Sequence, residues 1–216
     1  MNKSSLTGII DYGVGNVRSV LSAVEKVGGN PVLTSNYEEI KRCDRLILPG
    51  VGAFTHGMTE LHERGLDILI KDEVQKGKPL LGICLGMQML TTGSLEFGHT
   101  KGLGLIEGLV SQLQPISGAP SIRLPHVDWK PMCRASDDQE WFFAGVNPEA
   151  RFYFIHSFCR QDNEADVIAW AEYCGIRFAA VVARGNVIGT QFHPEKSGPE
   201  GLQMIRNFIM KENAHV

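Results

Sequence analysis

The pentapeptide Gly82-Ile83-Cys84-Leu85-Gly86, directly behind the apolar run Pro79-Leu80-Leu81, constrains this chain more than any other segment. A strand that ends in a sharp turn and opens a helix holds its turn residue in a strained backbone conformation, so the residues beside it must be almost free of side chain. Gly82 and Gly86 supply that clearance. The pattern is that of a nucleophile elbow with sulfur in place of oxygen. It lifts the thiol above a sheet at the start of a helix, where unpaired amides favour thiolate. Cys84 is therefore a candidate nucleophile. The competing reading is a small buried cysteine packed into a tight turn.

An elbow requires strand-helix alternation around it, and the first half of the chain has that pattern. Residues 6–10, 31–34, 45–48 and 79–83 are short apolar runs. Segments of helical spacing separate them, such as Val17, Val20, Leu21, Val24 and Val27. This βαβα order predicts a parallel sheet covered by helices. The second half reads differently, with strands at 152–155, 167–171, 178–183 and 187–191 and few helices between them. Arg184-Gly185-Asn186 predicts a hairpin turn between the last two. A closing helix is expected over 201–210 and a surface loop over 114–121, rich in Pro, Ser and Gly. The expected fold is α/β, an open, mixed but mainly parallel sheet with flanking helices and antiparallel strands in the C-terminal half. Ligands bind such sheets at the carboxyl ends of the strands, and Asp11, Pro49 and Cys84 all follow such ends.

A second motif bears on Cys84. The expected last strand runs into His193-Pro194-Glu195. Histidine is the usual base for a thiol, and a third group holds its ring in the right tautomer. Residues two apart in an extended segment point the same way, and Pro194 pushes His193 toward extended geometry. Glu195 can thus orient His193. His126 and His156 compete for the role of base, but only His193 has a carboxylate two positions on.

Attack of a nucleophile on a carbonyl carbon also needs an oxyanion hole. The backbone N–H of Leu85 offers one donor, and the glycines of Pro49-Gly50-Val51-Gly52 let a second approach. Val51 and Gly52 both qualify.

Composition sets limits on the partners. A chain of 216 residues that is 43% hydrophobic can form one α/β domain with a large core, and residues 1–216 are read as a single domain. A formal net charge of −3 without long Lys/Arg runs argues against nucleic acid or a membrane surface as partner. No apolar stretch approaches the ~18 residues that a bilayer span needs, and no signal-peptide core follows Met1, so a cytoplasmic protein is expected. The five cysteines lack paired spacing, so neither disulfides nor a metal site is expected.

The elbow followed by Met87-Gln88, together with His193-Pro194-Glu195-Lys196-Ser197, resembles the class I (triad) glutamine amidotransferases, whose fold is flavodoxin-like. Within them, the segment from Asp11-Tyr12-Gly13-Val14-Gly15-Asn16 to Val20, Leu48-Pro49-Gly50-Val51-Gly52-Ala53-Phe54, and Pro125-His126 with Trp129 resemble the glutaminase subunits of imidazole glycerol phosphate synthase. The similarity runs from about Ile9 to Phe208. It implies hydrolysis of L-glutamine through a cysteine thioester, without a cofactor, and release of ammonia to a (β/α)8-barrel cyclase partner. It places Gly50, Gln88, Ser157 and Phe158 around the substrate, and Asn16, Trp129, Tyr153 and Lys196 toward the partner.

Two departures from the family pattern stand out. Asp128 and Lys130 flank Trp129 where glycine and asparagine are usual, and Gly198 replaces a glutamine. These changes leave open a paralogue that serves a related synthase in surface-polysaccharide sugar amidation. A stand-alone cysteine hydrolase of γ-glutamyl substrates and a catalytically silent binding module are the readings from other classes.

Overall fold

A computed structural model describes residues 5–114, 122–161 and 164–211. Its first half alternates strand and helix: β1 (Leu6–Ile10), α1 (Val17–Lys26), β2 (Asn30–Thr34), α2 (Tyr37–Arg42), β3 (Arg45–Leu48), α3 (Phe54–Glu63), α4 (Leu66–Gln75), β4 (Leu80–Ile83) and α5 (Leu85–Leu90). Short strands follow: β5 (Gly93–Ser94), β6 (Thr100–Lys101), β7 (Leu109–Gln112), β8 (His126–Pro131) and β9 (Cys133–Arg134). Then come β10 (Arg151–His156), β11 (Phe158–Arg160), β12 (Val167–Tyr173), β13 (Ile176–Arg184), β14 (Val187–Thr190) and α6 (Gly198–Met210). The loop expected over 114–121 lies outside the described residues, apart from Gln114.

The main sheet has the order β2-β1-β3-β4-β14-β13-β12-β9. It is parallel from β2 to β14 and antiparallel beyond. The expected mixed, mainly parallel architecture is therefore present. β1, β3 and β4 are mostly apolar because both faces are covered, with Thr7 and Arg45 as the buried polar exceptions. Ile9, Ile47, Leu81 and Ile83 pack toward α1 and α6, whereas Ile10, Leu46, Leu48 and Leu80 pack toward α2, α3 and α4. Each such side chain contributes roughly 1.5–3 kcal/mol when fully buried.

The hairpin between β13 and β14 pairs Arg184 with Val187, so Gly185 and Asn186 form the turn, with Gly185 at φ +59°. Helix α6 begins at Gly198 rather than at residue 201. Pro199 in its first turn lacks only an N–H that has no partner there anyway, so it starts the helix instead of blocking it. β10 is the strand expected at 152–155, whereas its partner β8 and the sheet β11-β7-β5-β6 have little counterpart in the hydrophobic pattern. β5 and β6 are two residues long, and most of β8 is exposed. All three strand ends named above lie on one rim, where the Tyr12 hydroxyl donates to the Pro49 carbonyl at 2.7 Å.

Candidate active site

Cys84 sits between β4 and α5 at φ 54° and ψ −107°, a region that non-glycine residues rarely enter. The two glycines permit it by close approach. A Cβ on Gly82 would lie 2.8 Å from the carbonyl group of Gly86, and one on Gly86 would run into the Leu48 oxygen. The elbow is tied to β14 by a 2.7 Å bond from Cys84 N to Thr190 O. The sulfur is 6% exposed and lies 3.9 Å from the Ile155 carbonyl and from Gln191 Nε2.

His193 follows β14 with extended dihedrals, and its N–H donates to Tyr153 O at 3.0 Å. Its Nδ1 lies 2.7 Å from Glu195 Oε1, with both side chains almost wholly buried. Nε2 is buried without a hydrogen-bond partner, on the side of the Cys84 sulfur. Burial alone would depress the His193 pKa. Interaction with Cys84 and then with Glu195 overrides it and raises the pKa to about 9. The imidazole is thus held protonated beside the sulfur at neutral pH. Ser197 fixes this turn: its hydroxyl donates to His193 O at 2.6 Å and accepts from Tyr153 N at 3.0 Å.

These groups open on a cavity of about 230 Å³. It brings together Val51, Gly52, Cys84, Leu85, Gln88, Ser157, Phe158, His193 and Lys196. Gly50 is not on this wall. It is buried behind the loop, where a Cβ would lie 2.5 Å from Tyr12 Oη and 2.9 Å from Leu85 Cβ, so its glycine serves packing of the loop against α5. Val51 and Gly52 both face the cavity with Leu85, and Gly52 holds φ +99°, which suits glycine.

Glu96, Ile155 and His156 also line the cavity, without any spacing signal in the sequence that marks them. The Glu96 carboxylate accepts the Phe54 N–H at the start of α3 and puts negative charge at the far end, suited to an ammonium group. His156 Nε2 meets His126 Nδ1 at 3.1 Å, while His156 Nδ1 meets the Phe158 carbonyl. Burial pushes the pKa of His126 down to about 4 and that of His156 to about 3, so both are weak bases that would not hold a proton taken from Cys84 at neutral pH.

Outside the cavity, Trp129 is 42% exposed and packs 5.9 Å from the Tyr153 ring, with Lys196 Nζ also 5.9 Å from that ring. Asn16 occupies the N-cap position of α1, but its exposed side chain makes no capping bond. The unusual flanks of Trp129 belong together, since Lys130 Nζ pairs with Asp128 Oδ2 at 3.0 Å. Gly198 has φ +65° with open space around it.

A cysteine elbow, a histidine oriented by a glutamate and an α/β sheet that presents both define a triad amidotransferase. Residues 8–212 match the family Glutamine amidotransferase class-I, and the chain belongs to that family. Within it the similarity is to imidazole glycerol phosphate synthase subunit HisH. The Bacillus cereus (strain B4264) protein is 41% identical over 203 residues, covering 94% of this chain and 93% of its own. That of Caldanaerobacter subterraneus subsp. tengcongensis is 44% identical over 204 residues, covering 94% and 97%. Solved structures with the same fold include PurLQS from Thermotoga maritima, at TM-score 0.71 and 19% identity over 96% of this chain and 98% of that one. A crystal structure of a glutamine amidotransferase aligns at TM-score 0.69 and 20% identity over 94% and 96%.

Proposed function

We propose that this chain is the glutaminase subunit of an imidazole glycerol phosphate synthase, a cytoplasmic protein of one domain that hydrolyses L-glutamine and passes the ammonia to a (β/α)8-barrel cyclase. The observation that carries the chemistry is the His193–Glu195 contact of 2.7 Å beside the strained Cys84. The Cys84 thiolate attacks the side-chain amide carbon, and the carbonyl oxygen takes the negative charge. The Leu85 N–H and a donor from Val51 or Gly52 stabilise that charge, at roughly 3–4 kcal/mol per donor. Protonated His193 gives its Nε2 proton to the leaving nitrogen, and ammonia departs from a γ-glutamyl thioester. His193 then takes a proton from water, the resulting hydroxide displaces sulfur, and glutamate leaves with Cys84 and His193 back in their starting states. Glu195 keeps the ring in register and offsets its charge throughout.

A cavity of about 230 Å³ lies below the ~300 Å³ at which pockets for larger ligands begin, which favours one amino acid over a γ-glutamyl peptide as substrate. Ammonia that escaped would be protonated in water, so the exposed Trp129 and Asn16, with the half-buried Tyr153 and Lys196, form the face that meets the barrel in this reading. The Asp128–Lys130 pair on that face favours a second reading of the partner, a related synthase that amidates a sugar. The test is ammonia release from glutamine with and without the histidine-pathway barrel. Strong stimulation that Cys84→Ala abolishes supports the first reading. Turnover unaffected by the barrel supports the second, and high basal activity on γ-glutamyl peptides supports neither.

A further inference from the structure

Gln191 lies immediately beyond β14, is wholly buried, and belongs to none of the groups assigned above. Its amide stands between two others. Gln88 Nε2 donates to the Phe158 carbonyl at 2.8 Å and to Gln191 Oε1 at 3.1 Å, and Gln191 Nε2 lies 3.9 Å from Cys84 Sγ.

The direction of this chain follows from its far end. A backbone carbonyl can only accept, so Gln88 must turn its NH2 group to Phe158. The second N–H of that group then points at Gln191, which must answer with its oxygen. One amide end remains for the sulfur, and it is the donor. The alternative flip of either side chain would set oxygen against oxygen or oxygen against thiolate at Gln191, which is wholly buried.

We propose that Gln191 is a positioning residue for the nucleophile, donating an N–H to Cys84 Sγ and favouring the thiolate, with its orientation imposed through Gln88 by the Phe158 carbonyl. The inference rests on Cys84 being the nucleophile. It also revises what Gln88 offers: both of its N–H groups are engaged within the protein, so a substrate meets its acceptor oxygen. A donor near sulfur strengthens as charge accumulates there, so the contact counts for more in the thiolate than in the thiol. Other titratable groups face the same space: His193 after β14, Tyr12 after β1, His156 at the end of β10, and Glu96 and Lys196 on the cavity wall. A substitution at Gln191 leaves all of them in place.

The test is the rate of Cys84 alkylation by iodoacetamide against pH in the full chain, read on the peptide that carries Cys84 because the other four cysteines are also free. Gln191→Leu removes the donor. Gln191→Glu keeps the shape and sets a second negative group against the sulfur. Each is expected to move the midpoint of the profile upward by about one pH unit, a tenfold change in thiolate fraction, and further for Glu than for Leu. Gln88→Leu, which frees Gln191 to turn, is expected to move it the same way by less. A folded Gln191→Leu variant with an unmoved midpoint overturns the proposal, and so does a folded Gln191→Glu variant with an unmoved midpoint should the Leu variant fail to fold. Alkylation needs no glutamine, so a chain that failed to release ammonia would refute the glutaminase reading without touching this result.

Discussion

The buried Tyr12 hydroxyl donates a 2.7 Å hydrogen bond to the carbonyl of Pro49, two residues before Val51, which faces the cavity together with Gly52. The bond orients the Pro49–Gly50 peptide, and the loop beyond it carries the second oxyanion donor. Tyr12 is packed among apolar neighbours, and burial raises its pKa well above the ordinary phenol value, so it remains a donor at every working pH. Tyr12→Phe is expected to lower kcat by about tenfold with KM little changed, since a loosened donor is felt in the transition state. Cys84 alkylation in this variant should match the native rate. A kcat within twofold of native would show that the loop holds its shape without the bond.

Glu195 acts on His193 alone, because its Oε2 is buried without a partner. Glu195→Gln keeps the volume but removes the charge that supports the imidazolium. Turnover is expected to fall about 100-fold or more, within the range for a misplaced general base. His193→Ala should fall by about 100- to 10,000-fold. Steady-state ammonia release reads both, and a loss below tenfold for His193→Ala would mean that another group is the base.

Stability should peak near pH 6.5. The His193 pKa is raised from 6.5 to about 9, so its contribution is complete below about 6.5 and is lost as pH rises through 9. His156 and His126 titrate at about 3 and about 4 when folded against 6.5 unfolded, so their contribution is present above 6.5 and is lost as pH falls toward those values. Urea midpoints across pH 4 to 9 provide the check. The alkaline limb should flatten in Cys84→Ala, which removes the first of the two groups that raise His193. A native profile that rises from pH 6.5 to 9 would contradict the charge assignment.

Gly86→Ala tests the elbow itself. The added methyl would meet the Leu48 carbonyl oxygen, a backbone atom fixed in the sheet. Overpacking of this kind costs about 1–3 kcal/mol, so a lower melting temperature and near-complete loss of turnover are expected together. Gly77→Ala is the control for space, since no atom lies within 4 Å of its Cβ position, although φ +92° still imposes strain. Gly86 lies in α5 without a positive φ, so a Gly86→Ala variant no worse than Gly77→Ala would mean that the Leu48 contact does not set the requirement.

The parallel half of the fold is readable because β1, β3 and β4 are buried on both faces and so are dominated by apolar residues, Thr7 and Arg45 excepted. The ends of the two triad motifs were equally legible, since glycine clearance around Cys84 and the two-residue step from His193 to Glu195 are local. What escaped depends on long-range contact. Glu96 reaches the cavity from a loop between two-residue strands, and Gln191 becomes notable only because Gln88 and Cys84 converge on it from more than 100 positions earlier in the chain. The packing of Gly50 depends on the same kind of contact: its sequence position does not reveal that Tyr12 and Leu85 cover it.

The central claim is that Cys84 carries the glutamyl group between the two half-reactions. Rapid acid quench during glutamine turnover, followed by mass spectrometry of the cysteine peptides, tests it most directly. A γ-glutamyl group on Cys84 that decays as glutamate appears is the predicted result. Undiminished ammonia release from Cys84→Ala, or the adduct on another residue, would contradict it.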